Sequence, residues 1–227
     1  KDLANVLKTM VRAEEQARSH GRAAGLQAGR DIFYRGDIAR SIVSFSEQVG
    51  GVLTLDDFAN YYSKLEAPVR STYRSLEIYG HQTWSQSATL LQALNILEGF
   101  DLQSLGHNSP AYIHVLTEAL KLAMADRERY YGDPDFVYVP LEALLSKDYA
   151  AERRKLIDLN KAAPELPPYG DPMAGRALGG TMEVNRFRGP VGSSSDGTTH
   201  VSVVDAEGNI FLAAPSGGRL NGGGVVP

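Results

Sequence analysis

Apolar residues recur every three or four positions along most of the first 160 residues, and this spacing predicts amphipathic helices. The predicted helices cover residues 2–30, 37–48, 54–62, 88–98 and 109–129, with two short ones at 141–145 and 149–157. Three glycines fall in the second half of the first helix, where each costs about 1 kcal/mol relative to alanine. A weaker helix, or a helix followed by a loop, is therefore expected there. Thr54, with a carboxylate three residues later, is typical of a capping-box start.

The helix that begins at Ser109 carries a predicted apolar stripe of Ile113, Leu116, Leu120 and Ala123. Residues 126–129 at its end alternate in charge, which indicates a solvated helix end with local ion pairs. Together with the apolar helix at 88–98, this pattern predicts a helical layer packed on a sheet.

The period of the pattern changes to two in two places, which predicts β-strands. Residues 68–70 and 76–79 flank a turn predicted at 71–74, and residues 201–205 and 210–214 flank a hairpin turn at 206–208. Between these units, residues from about 160 to 195 are rich in proline, glycine and polar residues, which predicts a long loop or linker. The order of elements predicts an α+β or α/β chain, not an all-helical one.

Composition and charge narrow the function further. Of the 227 residues, 43% are hydrophobic, and the net charge is −4, so no basic surplus exists to neutralise nucleic-acid phosphates. No apolar run approaches the length of about 18 residues that a membrane span needs. Cysteine is absent, which excludes disulfides, thiolate nucleophiles and cysteine-bound metals. The chain begins at Lys1 with no visible signal peptide, so removal of an upstream segment is expected.

A threonine in front of the last predicted hairpin carries the main chemical hypothesis. Thr198 follows Gly197 directly and would stand at the start of a strand. A threonine hydroxyl is a weak nucleophile that needs a base within hydrogen-bond reach. If the Gly197–Thr198 bond were cut, Thr198 would gain its own α-amine, whose reference pKa near 8 suits that role. On residue pattern alone, a strand that simply begins with threonine is the commoner explanation.

The sequence pattern gives little support for a metal or cofactor site. His107 and His114 are seven residues apart, which indicates surface or hydrogen-bonded histidines more than metal ligands. Asp133 and Asp135 belong to a turn-forming Gly-Asp-Pro-Asp segment and are interpreted as turn residues. The sequence therefore predicts neither a metal nor a cofactor.

Several segments resemble the γ-glutamyltranspeptidase family of N-terminal-nucleophile hydrolases. The strongest is the Thr-Thr-His-Val-Ser-Val-Val-Asp run at 198–205, followed by Gly-Asn at 208–209. The other matching segments lie, in family order, at 33–39, 50–57, 91–98, 125–127 and 131–140. Each segment alone is modestly specific, whereas their order over most of the chain is a strong indication.

The resemblance implies a precursor that cleaves itself before Thr198, leaving Gly197 at the end of a large subunit. Thr198 would be the nucleophile and, through its amine, the base that attacks a γ-glutamyl amide such as glutathione. The implied fold is a four-layer αββα sandwich, incomplete in this chain, with residues 1–197 in the large subunit and 198–227 beginning the small one. The implied partners are the remainder of the same precursor and a small amide substrate, and the implied location is periplasmic or secreted.

Departures from the family pattern leave the substrate open. Ser216 stands where a supporting hydroxyl is expected, with Thr199 as a second candidate, while Gly217 and Gly218 occupy the substrate-contacting stretch in which the family has asparagine. Thr83–Ser87 replaces a proline-rich Ser-Ser-Gly-Gly run. Both changes resemble an acylase-like branch. An acylase of another amide, or a catalytically incomplete member acting as a binding scaffold, therefore remains an alternative.

Overall fold

The structure, a computed structural model, describes residues 2–174 and 200–213. The described residues form two compact units, one of residues 2–64 with 200–213 and the other of residues 65–174. Helices and short antiparallel strand pairs make up both units, which agrees with the predicted α+β class. None of the helices in these ranges is both long and apolar enough to cross a membrane.

The first unit begins with a helical hairpin. Its helices are α1 (Asp2–Ala17), α2 (Arg22–Tyr34), α3 (Asp37–Gln48) and α4 (Leu55–Asn60). The single helix predicted over 2–30 is wrong, because Gly21 adopts φ +103° and divides it in two. The other two glycines lie within α2, where a Cβ on Gly25 would come 3.2 Å from the carbonyl oxygen of Glu14. These glycines, expected to weaken the helix, allow α2 to pack closely against α1.

The capping box predicted at Thr54 is confirmed. The Thr54 hydroxyl accepts a hydrogen bond from the backbone N–H of Asp57, and the Asp57 carboxylate accepts one from the backbone N–H of Thr54 at 2.8 Å. The Thr54 hydroxyl also donates to the Asp57 carboxylate at 2.8 Å, and this bond, together with the one from the Thr54 backbone N–H, holds the pKa of the exposed Asp57 carboxyl below its usual range. The box therefore ties the start of α4 to an ionised carboxylate.

Acid is expected to loosen this cap. Because the folded-state pKa of Asp57 is lowered, its stabilising contribution is complete above the unfolded pKa of about 3.9. That contribution is lost as the pH falls through the lower folded value. A titration of the α4 amide chemical shifts from pH 6 to pH 2 measures the effect, and Thr54→Ala is expected to raise the pKa of Asp57. An unchanged Asp57 titration in that variant would contradict the assignment.

The second unit packs two long helices beside a strand pair. Its elements are β1 (Val69–Tyr73), β2 (Leu76–Gly80), α5 (Ser87–Leu97), α6 (Pro110–Tyr130), α7 (Leu141–Leu144) and α8 (Lys147–Arg154). The two strands confirm the predicted β unit, but β1 runs on to Tyr73, so the turn predicted at 71–74 is wrong. Arg74 has φ +55° in the actual two-residue turn, as the shortest hairpin connections require.

Helix α6 faces the core with only part of the predicted stripe. Ala123 is buried and Leu116 packs against the core, but Ile113 and Leu120 are exposed, and Val115, Ala119 and Leu122 are buried instead. These last three residues belong to one cluster shared by three helices, composed of Ile96, Leu97, Val115, Ala119, Leu122 and Ala150. The predicted stripe contained apolar residues alone, whereas polar residues also lie on the face that α6 presents to the core.

Arg154 closes the carboxyl end of α5. Its guanidinium donates to the carbonyl oxygens of Ile96 at 2.8 Å and Asn95 at 3.0 Å, which lack partners within the helix. Gly99 makes the room, since a Cβ there would lie 1.9 Å from the Arg154 Cζ.

Replacing Gly99 with alanine is therefore expected to expel the guanidinium and destabilise the protein by about 1–2 kcal/mol, through two lost hydrogen bonds. Urea unfolding of the two proteins gives the difference. Arg154→Met serves as the matched control, because adding Gly99→Ala to it should cost much less. Equal effects of Gly99→Ala in both backgrounds would show that Arg154 is not the group displaced.

Candidate active site

The residues predicted to carry out catalysis lie outside the described ranges. They are Gly197, Thr198, Thr199, Ser216, Gly217 and Gly218. Their roles therefore stay predictions. What the structure describes is the strand pair between them, which begins three residues after Thr198 and ends three residues before Ser216.

This pair is the hairpin of β3 (Val201–Val204) and β4 (Ile210–Ala213), and it confirms the hairpin predicted from the period-two pattern. The strands are antiparallel, with Val201 opposite Ala213 and Val204 opposite Ile210. Strand geometry fixes the direction of the chain on each side of the turn. The hairpin therefore brings the chain that follows Thr198 beside the chain that leads to Ser216.

The turn of the hairpin is organised by one aspartate. Asp205 accepts hydrogen bonds from the backbone N–H groups of Glu207 at 3.0 Å and Asn209 at 2.8 Å, and from the Asn209 side chain at 2.8 Å. Gly208 supplies the positive φ of +83° that the turn requires. The bonds from Asn209 hold the pKa of Asp205 below its usual value. The hydrogen bonds to the Asp205 carboxylate therefore fix the register of the two strands.

Both faces of the hairpin are apolar and exposed. Val201, Val203 and Phe211 share one face, and Val204 and Ile210 lie on the other, by the alternation of strand side chains. Their exposed fractions range from 46% to 70%. A strand that is apolar on both faces is typical of a sheet covered on both sides. This is the pattern that an inner sheet of a layered sandwich requires.

His200 is the described residue nearest in sequence to the predicted nucleophile, Thr198. It lies just before β3 and is exposed, and its ring nitrogens lie 3.3 and 3.4 Å from the Ser202 hydroxyl. Residues two apart along a strand share a face, which explains this contact. This contact favours a role of His200 in supporting the local structure of the strand.

Asp126, which was predicted to lie on a solvated helix end, is one of three polar residues of the described ranges with no exposed surface, beside Gln92 and Asn95. That prediction is wrong, because Asp126 is fully buried. Its carboxylate accepts hydrogen bonds from Gln92, from the Tyr149 hydroxyl at 2.9 Å and from the Gly170 N–H at 2.8 Å, and it pairs with Arg153 at 3.1 Å. Four donors compensate the burial of the charge.

Two tyrosines around Asp126 are held in the neutral form. Burial raises the pKa of both Tyr131 and Tyr149 well above the ordinary value, and the nearby Asp126 charge raises it further. Tyr149 donates directly to Asp126, and Tyr131 donates to the side-chain amide oxygen of Gln92 at 3.1 Å. These tyrosines therefore act as fixed donors, and the network serves to join helices.

The network also holds the beginning of the predicted linker. Besides the bond to Asp126, Gly170 accepts from the Tyr130 hydroxyl at 2.8 Å, and Arg153 donates to the carbonyl of Pro168 at 3.0 Å. A Cβ on Gly170 would lie 2.2 Å from the Tyr149 hydroxyl, so only glycine fits.

A second anchor lies a few residues earlier in the same stretch. Lys121 donates to the Ala163 carbonyl and the Glu118 carboxylate accepts from the Ala163 N–H. Residues 163–170 are thus tied to helices α6 and α8.

The described residues offer no metal site, since no cluster of three or more histidine, aspartate and glutamate side chains suits an ion. A surface cavity of about 1010 Å³ lies in the second unit between helices α7 and α8 and residues 170–174. Four carboxylates, of Glu142, Asp148, Glu152 and Asp171, line it together with Tyr149 and Arg153.

Comparison with known proteins identifies the relatives of the chain. The family described as Gamma-glutamyltranspeptidase matches residues 3–226. An acylase ACY 1 proenzyme of Pseudomonas sp. (strain SE83) is 39% identical over 82% of the chain and 30% of its own length. A glutathione hydrolase proenzyme of Escherichia coli (strain K12) is 35% identical over 87% of the chain and 31% of its own length.

A solved structure adds the fold. The Helicobacter pylori gamma-glutamyltranspeptidase superposes with a TM-score of 0.59 at 33% identity, over 69% of this chain and 44% of that one. The chain spans about three tenths of the length of the two curated relatives described above. The described helices and strands form part of the fold of N-terminal-nucleophile hydrolases.

Proposed function

Since the chain belongs to the gamma-glutamyltranspeptidase family, we propose that it is part of a self-processing threonine amidohydrolase or acyltransferase. Its substrates are γ-glutamyl amides such as glutathione. Thr198 forms the acyl-enzyme, and water, an amino acid or a peptide accepts the acyl group. The observation that carries the proposal is the family match, which includes Gly197–Thr198 and the strand β3 that follows.

In the proposed processing step, the Thr198 hydroxyl attacks the carbonyl carbon of Gly197. The bond from that carbon to the Thr198 nitrogen breaks, the nitrogen takes a proton, and an ester joins the two residues. Water then hydrolyses the ester, which leaves the Gly197 carboxylate and a free Thr198 amine. The amine, with a reference pKa near 8, now serves as the base for the Thr198 hydroxyl in substrate cleavage.

The remainder of the same precursor is the proposed partner of this chain. The names of both curated relatives include the word proenzyme, and each relative is more than three times as long as its matching part. The apolar faces of the β3–β4 hairpin supply the surface that such a partner covers. We also propose that the processed protein is periplasmic or secreted.

Acylase activity on another amide is the second candidate function. The first observation in its favour is the 39% identity to an acylase proenzyme. The second is Gly218, which stands where the family pattern has the asparagine that contacts the γ-glutamyl group. Without that side chain, the site loses one polar contact to the substrate.

A pair of anilides that differ in one group separates the two candidates. γ-Glutamyl anilide carries an α-amino group that glutaryl anilide lacks, so their kcat/KM ratio reports recognition of that group alone. If the proposal is correct, kcat/KM is at least tenfold higher for the γ-glutamyl compound, because the site pairs with the charge of its α-amino group. A ratio of one or below favours the acylase. If the chain stays unsplit and hydrolyses neither compound, only the alternative of a binding scaffold remains.

A further inference from the structure

The loop that departs from the family pattern, Thr83–Ser87, borders the second surface cavity of the 65–174 unit. This cavity has a volume of about 340 Å³ and lies between the loop after β2 and the segment before β1. Its lining residues are Glu66, Ala67, Pro68, Tyr79, Gly80, His81 and Gln82. Nothing in the proposed reaction uses these residues.

Hydrogen bonds hold the two walls of the cavity together. The Gln82 side chain donates to the Ala67 carbonyl at 2.8 Å, and the indole N–H of Trp84 donates to Glu66 Oε2 at 2.8 Å. Between them, Thr83 is buried and donates to the Gly132 carbonyl at 2.9 Å. The cavity is therefore preformed, which reduces the entropy cost of binding.

The rings of Tyr79 and His81 line the cavity together with the Glu66 carboxylate. Trp84 lies beside the cavity, since its ring is 5.6 Å from that of His81 and its indole bonds to Glu66, and Trp84 and Tyr79 are each about half exposed. The indole uses Oε2 of Glu66, and no hydrogen bond from the described residues engages Oε1. None of the lining residues is a lysine or arginine. Arg70 lies near the Tyr79 hydroxyl but is paired with Glu77 at 3.8 Å. A ring face beside a carboxylate attracts organic cations.

We propose that this cavity binds the primary ammonium or guanidinium group of an organic cation. The cation lies over the exposed ring of Tyr79, next to Trp84, and pairs with Glu66 Oε1. A neutral ligand gains no pairing energy from Glu66, and an anion is repelled by it. The proposal does not depend on the chemistry at Thr198.

The fluorescence of Trp84 tests this directly, because it is the only tryptophan of the 227-residue chain. The full chain is titrated at constant ionic strength with cadaverine, and separately with 1,5-pentanediol, which has the same carbon chain without charge. We expect a saturable change in emission with cadaverine and none with the diol. Equal responses to both compounds, or no saturable response to cadaverine, would overturn the proposal.

Variants then assign the site. Glu66→Gln removes the charge but keeps an acceptor for the indole, and should weaken cadaverine binding about three- to tenfold. Glu142→Gln, which removes a carboxylate from the larger cavity, is the matched control and should change nothing. The indole N–H NMR signal without ligand shows whether the loop survives Glu66→Gln.

If the loop does not survive, Tyr79→Leu tests the ring instead and should weaken binding to a similar extent. Unchanged affinity in a variant with an intact loop contradicts the site. A peptide, N-acetyl-Gly-Lys-Gly-amide, distinguishes the two sources of the ammonium group. Tighter binding of the peptide than of cadaverine identifies a polypeptide lysine, and the reverse identifies a free amine.

Discussion

Replacing Thr198 with alanine is expected to leave the protein unsplit and without amidase activity. In the proposed mechanism the hydroxyl attacks the Gly197 carbonyl in processing and the substrate carbonyl in turnover, so both steps would lose their nucleophile. Removal of a nucleophile slows such reactions by at least about 10³-fold. Intact mass spectrometry of the purified protein measures the first loss, and release of aniline from γ-glutamyl anilide measures the second.

Two neighbouring variants sharpen this result. Thr198→Ser keeps the hydroxyl and should still split, more slowly, because serine lacks the methyl group that restricts rotation about χ1. Thr199→Ala keeps the nucleophile and should split with at most a moderate delay. A Thr198→Ala protein that splits between residues 197 and 198 at the normal rate would refute the role of Thr198.

Replacing Asp126 with alanine is expected to lower the free energy of unfolding by about 3–5 kcal/mol, the range for breaking a buried ion pair from one side. The change leaves Arg153 with an unpaired buried charge and removes the acceptor of Gln92, Tyr149 and Gly170. That loss is a large part of the usual free energy of unfolding of a domain, which is about 5–15 kcal/mol. Urea unfolding followed by Trp84 emission reports on the same unit.

Glu128→Ala is the matched control for this prediction. Glu128 lies two residues along α6, is exposed and pairs with its neighbour Arg127 at 3.0 Å. Its removal should change stability by less than about 0.5 kcal/mol. Equal effects of the two substitutions would mean that the Asp126 network contributes no more than a surface pair.

Local signals in the sequence predicted much of the secondary structure. Helix α3 begins at Asp37 and ends at Gln48, as its apolar spacing predicts, and the Thr54 capping box forms as expected. Both depend on residues within one or two turns of each other. Gly21 shows the limit of this reasoning, because propensity predicts a weak helix there without showing which glycine adopts a positive φ.

Long-range polar contacts are what the pattern missed. Asp126 lies seven residues after Ala119 and four after Leu122, which places it on the buried face of α6. This spacing was the available signal, but its partners Gln92 and Gly170 are 34 and 44 residues away in sequence. No local pattern carries that information. The predicted nucleophile came from motif resemblance, and its role depends on the experiments above.

The hydrogen bonds that hold residues 163–170 against α6 and α8 also set a practical boundary for protein engineering. Tags, affinity peptides or protease sites are usually placed in proline- and glycine-rich stretches, since these tolerate insertion. In this protein the stretch from 163 to 170 contributes backbone partners to Glu118, Lys121, Arg153 and Asp126. An insertion before Gly170 would therefore compete with helix packing, and shortening the stretch would pull on the same helices.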